Sequence, residues 1–121
     1  MMVSHEDLIM VVDDEPESRT FLVMLLQLEG FKAVAFPNGA EALHYLANST
    51  LPCLVIFDLR MPVIDGTQFR SAMLQDPRLA KIPAVVVTAF ESLATRNLAA
   101  LRVFRKPLDF EALLSTVREN C

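Results

Sequence analysis

The chain has 121 residues, 53% of them hydrophobic, and a net charge of −4. That suits a single domain spanning 1–121 with a proper core, and argues against a nucleic-acid groove as the main surface. No apolar run approaches the ~18 residues a membrane span requires, no block of like charge marks a disordered tail, and the Met-Met-Val-Ser-His-Glu-Asp start is unlike a signal peptide, so a cytoplasmic protein without membrane contact is expected.

In chain order, Leu8 to Val12 is an apolar run of strand length, ended by Asp13 and Asp14. Pro16 precedes a helical stretch from about Glu17 to Glu29, closed by Gly30. On that helix a wheel puts Phe21, Leu22 and Leu25 on the core face and Thr20, Val23, Met24 and Gln27 opposite. Lys32 to Phe36 makes a weaker second strand. Asn38 has the character of an N-cap for a helix reaching about Ala47, with Leu43 and Leu46 inward. Cys53 to Phe57 is a third strand, ended by Asp58. A loop with Pro62 and Gly66 leads to a helix from about Thr67 to Gln75. Ala84 to Val87, ended by Thr88, is the fourth strand, and a short helix is expected over about Ser92 to Ala100. Arg102 to Arg105 is the fifth strand, ended by Lys106-Pro107. Asp109 caps a last helix whose Phe110, Leu113, Leu114 and Val117 follow the i, i+3, i+4, i+7 rule.

Two cysteines in a chain of this kind are expected to be unrelated: Cys53 a small buried hydrophobe, Cys121 an incidental terminal thiol. His5 and His44 are too isolated to form a metal pair, and Met10, Met24, Met61 and Met73 fit packing roles.

Strands alternating with helices, several strands apolar on both faces, imply an α/β fold: a doubly wound parallel sheet covered on both sides. Ligands in such sheets bind beyond the carboxyl ends of the strands. Asp13, Asp14, Asp58, Thr88 and Lys106 all stand there. Any one of these alone is most simply a cap, a solvated turn or a solvated charge. Together they define a site.

Converging carboxylates repel unless a cation neutralises them. An all-oxygen donor set suits Mg²⁺, or Mn²⁺ in its place. Asp14 and Asp58 are the expected direct ligands, with Asp13 binding through water or directly and the Arg60 carbonyl as a further ligand. Metal, Lys106 and the Thr88 hydroxyl would cradle a phosphoryl group, and Asp58 is the natural nucleophile to accept it.

With these residues in place the sequence resembles the response-regulator receiver domain, the chemotaxis-regulator-like family of two-component signalling, from Ile9 to about Val117. The acidic pair follows an apolar strand. Phe57-Asp58-Leu59-Arg60-Met61-Pro62-Val63-Ile64-Asp65-Gly66 is similar to the phospho-acceptor loop, Thr88-Ala89 to the switch hydroxyl and its small neighbour, and Lys106-Pro107 to the family's lysine–proline pair, commonly cis.

The resemblance implies a flavodoxin-like three-layer sandwich with strand order 2-1-3-4-5. It implies a Mg²⁺-dependent phosphorelay step: a sensor histidine kinase or histidine phosphotransfer protein donates from phosphohistidine to Asp58, and small acyl phosphates substitute. The chain would not be a conventional enzyme but would catalyse its own phosphorylation and dephosphorylation. An unknown downstream protein or output domain would read the switched face, with no direct nucleic-acid binding by this domain. The first helix, through Val23 and Met24, would dock the kinase.

Two departures from the family pattern concern the switch. Val103 stands where Tyr or Phe is usual, and strand alternation aims Phe104 at the opposite face. The Thr88 to Lys106 stretch is short and lacks a Gly-Ala turn. Coupling is therefore expected to run through Thr88 and the loop of Ala89, Phe90 and Glu91, with Phe90 as the moving group, Ala89 to about Arg96 reordering and Val103 little changed.

Three other readings are weaker. A flavin-binding domain would need a Ser/Thr/Gly-rich phosphate loop where Asp13-Asp14-Glu15 stands. A haloacid-dehalogenase-type phosphatase would need a second Asp where Arg60 stands. A degenerate, non-phosphorylated receiver acting only as a protein-binding module is disfavoured by the intact site residues.

Overall fold

Five short strands and five helices are formed among the residues that the computed structural model describes, 8–89 and 98–121. The strands are β1 (Leu8–Val12), β2 (Lys32–Phe36), β3 (Leu54–Asp58), β4 (Ala84–Thr88) and β5 (Arg102–Arg105). All neighbours pair in parallel, in the expected order β2-β1-β3-β4-β5.

Successive strand side chains point to opposite faces, and here both faces are covered. Met10, Val12, Val55, Phe57 and Val86 pack into one cluster with Ala42, Leu46, Phe69 and Met73. Ile9, Val11, Leu54, Ile56, Val85 and Val87 pack into another with Leu22, Leu26, Leu113, Leu114 and Val117. That is why the central strands appear in the sequence as continuous apolar runs rather than alternating ones.

The helices are α1 (Pro16–Leu28), α2 (Gly39–Asn48), α3 (Gly66–Gln75), α4 (Pro77–Ala80) and α5 (Phe110–Asn120). The expected caps form: Asn38 accepts from the Glu41 N–H, and Asp109 from the Ala112 N–H. Gly30 closes α1 at a φ of 93°, a left-handed conformation that glycine adopts without penalty.

Several boundaries differ from expectation. Pro16 is the first residue of α1, because its missing N–H costs nothing there. The short helix α4 was not anticipated; the Asp76 side chain caps it and Pro77 opens it. Of the helix expected over Ser92 to Ala100, residues 90–97, Phe90 included, lie outside the described residues, and 98–100 are not helical.

The expected inner face of α1 also needs correcting. Leu22 and Leu26 are its buried residues, whereas Phe21 is 46% exposed. Val23 is half-buried against the core, and Leu25 likewise. Met24 is exposed as expected, together with Leu28.

The expectation for the cysteines is overturned. Cys53 and Cys121 form a disulfide, with Cα atoms 5.7 Å apart. The topology explains the meeting: helices run back antiparallel to the strands, so the end of α5 returns to the edge where β3 begins.

Candidate functional site

The carboxyl edge of the sheet gathers the polar strand ends. Asp58 is the last residue of β3 and pairs in register with Val87 of β4. Asp13 follows β1, and its N–H extends the ladder to the Phe36 carbonyl at 3.1 Å. Thr88 ends β4 opposite Arg105, and the Lys106 N–H donates to the Thr88 carbonyl at 2.9 Å.

The central contact joins the third and fifth strands. Lys106 Nζ donates to Asp58 Oδ2 at 2.7 Å, while the Arg60 N–H donates to Asp58 Oδ1 at 3.0 Å. Both carboxylate oxygens are thus oriented, and Asp58 itself is buried. The loop beyond Asp58 folds back tightly: the Gly66 N–H donates to the Leu59 carbonyl at 2.9 Å. A Cβ on Gly66 would lie 2.6 Å from the Asp58 carbonyl oxygen and from Leu59 Cα, so only glycine fits. Asp65 and Gln68 then form a reciprocal capping box that starts α3 and fixes the loop's far end. The Lys106–Pro107 peptide is cis, as expected.

Asp13 lies beside this pair, buried, with Oδ1 accepting from the Glu15 N–H at 3.0 Å. Burial is the largest influence on its carboxyl and raises the pKa. The Glu15 N–H and the Lys106 charge pull it back, while Asp58 and Asp14 push it further up; the net result is upward. For Lys106, burial alone would lower the pKa. The hydrogen bond and charge of Asp58, with Asp13 and Glu15 behind, outweigh burial and leave it raised.

Asp14 and Arg60 are exposed. Among the described residues no three acidic, His or Cys side chains gather closely enough to make a metal cage by themselves. Mg²⁺ does not need one, since it takes one or two carboxylates and keeps several waters. The oxygen-only donors fit such a cation, and so does a buried Asp13 carboxyl whose pKa is raised first by burial and further by the neighbouring Asp58 and Asp14.

Thr88 is buried at the end of its strand. By alternation it shares a face with Val86 and Val103, and Val103 packs half-buried against the α2–α3 core. Phe104 points the other way, into the α1–α5 core, as expected. A cavity of about 190 Å³ adjoins the site, lined by Asp13, Asp58 and Lys106 and by apolar Phe21, Leu22 and Phe110. The Phe21 and Phe110 rings meet edge-on, centroids 5.1 Å apart.

Sequence reasoning missed Arg70. It is buried in α3, and its guanidinium donates to the Leu98 carbonyl at 2.8 Å and the Ala99 carbonyl at 3.0 Å. Burial lowers its pKa. It ties α3 to the connection entering β5, where Ala99 holds a φ of 50°. The available signal was its spacing: Arg70 lies i−3 to buried Met73 and i+4 to buried Gly66, on the inner stripe of α3.

Comparison with known proteins agrees with this architecture. An uncharacterised 14.6 kDa protein in the sodA1 3′ region of Leptolyngbya boryana is 35% identical over 118 residues, covering 93% of this chain and 88% of that one. A response regulator receiver protein from Pseudomonas putida superposes with a TM-score of 0.89 at 28% identity, over 97% of this chain and 99% of that chain. The response regulator TrrA from Thermotoga maritima, solved in complex with Mg²⁺–BeF, gives a TM-score of 0.83 at 29% identity, over 95% and 99%. The family described as the response regulator receiver domain matches residues 9–118, and with the sheet order and the strand-end site this establishes that the chain belongs to the receiver-domain family of two-component response regulators.

Proposed function

We propose that this chain, as one receiver domain over 1–121, accepts a phosphoryl group on Asp58 from a phosphohistidine of a sensor histidine kinase or phosphotransfer protein. The observation that carries the proposal is the Asp58 carboxylate itself: buried at the carboxyl edge, one oxygen held by Lys106 Nζ at 2.7 Å and the other by the Arg60 N–H. In the transfer the P–N bond of the donor breaks, a P–O bond to Asp58 forms, and the imidazole leaves with a proton. Lys106 changes partner, from the carboxylate oxygen to a phosphoryl oxygen, and so keeps a positive charge on the group that arrives.

Asp13, Asp14, Asp58 and the Arg60 carbonyl are the residues that would hold Mg²⁺. The ion supplies charge neutralisation for the transferring group. The complex of the Thermotoga relative with Mg²⁺–BeF supports this assignment by relationship. Thr88 closes on the phosphoryl group from the next strand, and the acyl phosphate is later lost to water with the same residues in place. A downstream protein or output domain reads the altered face. A cytoplasmic location belongs to this reading; among the described residues no helix is long and apolar enough to cross a membrane.

Incubation with acetyl phosphate and Mg²⁺ should add one phosphoryl group by intact mass, and Asp58→Asn should abolish the addition. Undiminished labelling of the variant would remove Asp58 from the mechanism, and failure of the wild-type chain to label or to bind beryllofluoride would favour a receiver that acts only by binding protein.

A further inference from the structure

We propose that Cys53 and Cys121 form a reversible redox modification site, a clasp that fastens the end of α5 to the start of β3. The fold brings them together without strain on the backbone: the Cα atoms are 5.7 Å apart, within the usual range for a bridged pair. Both are half-buried, packed at the rim of the α1–α5 core, so a small thiol reagent or a protein dithiol can reach them. Neither residue is held for another purpose by the acceptor site. Cys53 opens the run into β3, with its N–H on the Leu8 carbonyl at 2.8 Å. Cys121 directly follows α5, with its N–H on the Val117 carbonyl at 2.9 Å.

The position determines what the clasp does. It lies at the amino edge of the sheet, roughly 16 Å along β3 from Asp58. It closes a span of 68 residues that contains β3, β4 and β5 and, among the described residues, the helices α3, α4 and α5. Val117 anchors α5 in the core, but beyond it the helix end is exposed apart from half-buried Asn120, and its side-chain tie to a neighbouring element is the exposed Arg118–Glu29 ion pair, which is worth little by itself. Opening the disulfide therefore loosens the helix end and relaxes the unfolded chain, while the acceptor edge keeps its contacts.

The chemistry is thiol–disulfide exchange with a partner of the glutathione or thioredoxin class. One cysteine thiolate attacks the incoming disulfide and expels one thiolate, giving a mixed disulfide. The second cysteine attacks that bond, forms Cys53–Cys121 and expels the other thiolate. Two electrons and two protons pass from the two thiols to the partner, which leaves as two thiols. Reduction by a dithiol runs the same steps backwards.

The test equilibrates the native chain in buffers running from oxidised to reduced glutathione. Free thiols are counted by maleimide tagging and intact mass, thermal melts follow stability, and hydrogen exchange follows Val117–Cys121. Free thiols should rise from none to two within the monomer, with the melting temperature falling on the order of 10 °C, as expected for opening a loop of this length. Protection of the last α5 turn should fall with it. Cys121→Ser should melt like the reduced wild type in every buffer. Glutathione retained on a single cysteine, disulfide-linked dimers, a bridge that native-state reduction cannot open, or a melting temperature independent of redox state would each overturn the proposal.

Discussion

Asp13 carries a cost that its neighbours do not remove. Burial leads the influences that raise its pKa above the ordinary 3.8, so the folded chain holds that proton more tightly than the unfolded chain does. The sign follows from linkage: stability from this group is fully present below the unfolded value and is lost as pH rises through the folded one. The cost thus grows as pH rises above the unfolded value. Asp13→Asn should therefore raise the melting temperature at pH 7 in EDTA, and the gain should shrink toward zero as pH falls below 3.8. Melts across that pH range are the measurement; a variant less stable at pH 7 would show that the Glu15 N–H and Lys106 contacts outweigh burial. Mg²⁺ should narrow the difference by stabilising the wild type more, since a ligand of the native state adds to stability by mass action. The residues at this edge could be found in the sequence because each is a polar group ending an apolar run, and Asp58 and Lys106 do meet. Arg70 could not be found so easily. A lone arginine on a helix is ordinarily solvated, and its two carbonyl partners lie 28 and 29 residues away in sequence.

On α1 the wheel located the exposed side but misassigned its edges. Leu26 rather than Phe21 completes the buried stripe with Leu22, and Phe21, Met24 and Leu28 form an exposed apolar strip at i, i+3 and i+7. The wheel puts Phe21 beside Leu22 on the core face; in the structure its ring leans on Phe110, whose position no local pattern on α1 can reveal. If this helix docks the phosphodonor, Met24→Glu should slow transfer from the cognate kinase severalfold or more and leave acetyl-phosphate labelling unchanged. Val23→Glu should instead unfold or weaken the chain, because Val23 packs against the core. Equal loss of both labelling routes in Met24→Glu would return that residue to a purely structural role. The strands were legible almost to the residue, since burial on both faces leaves unbroken apolar runs. The four-residue α4 was not, because a single turn has no periodicity to detect.

At the scale of the molecule, the doubly wound parallel sheet followed from the alternation of elements and the strand order from the family resemblance, whereas the disulfide followed from neither, because a long-range pairing leaves no local trace. Its two partners stand 68 residues apart and meet only through the antiparallel return of α5. The sheet has a further effect on the molecule as a whole. It divides the interior into two apolar bodies, one beneath α2 and α3 and the other beneath α1 and α5. Side chains on opposite faces share a backbone wall but no van der Waals contact, so their energies should simply add. Phe69→Leu and Leu26→Ala, each destabilising by about 1–4 kcal/mol, should combine to within ~0.5 kcal/mol in urea unfolding. Phe57→Leu and Phe69→Leu, whose rings meet 5.4 Å apart on one face, should couple by about 0.5–3 kcal/mol. Coupling of that size across the sheet would mean the two halves respond as one. Without it, each half of this small protein can vary its packing without the other having to compensate.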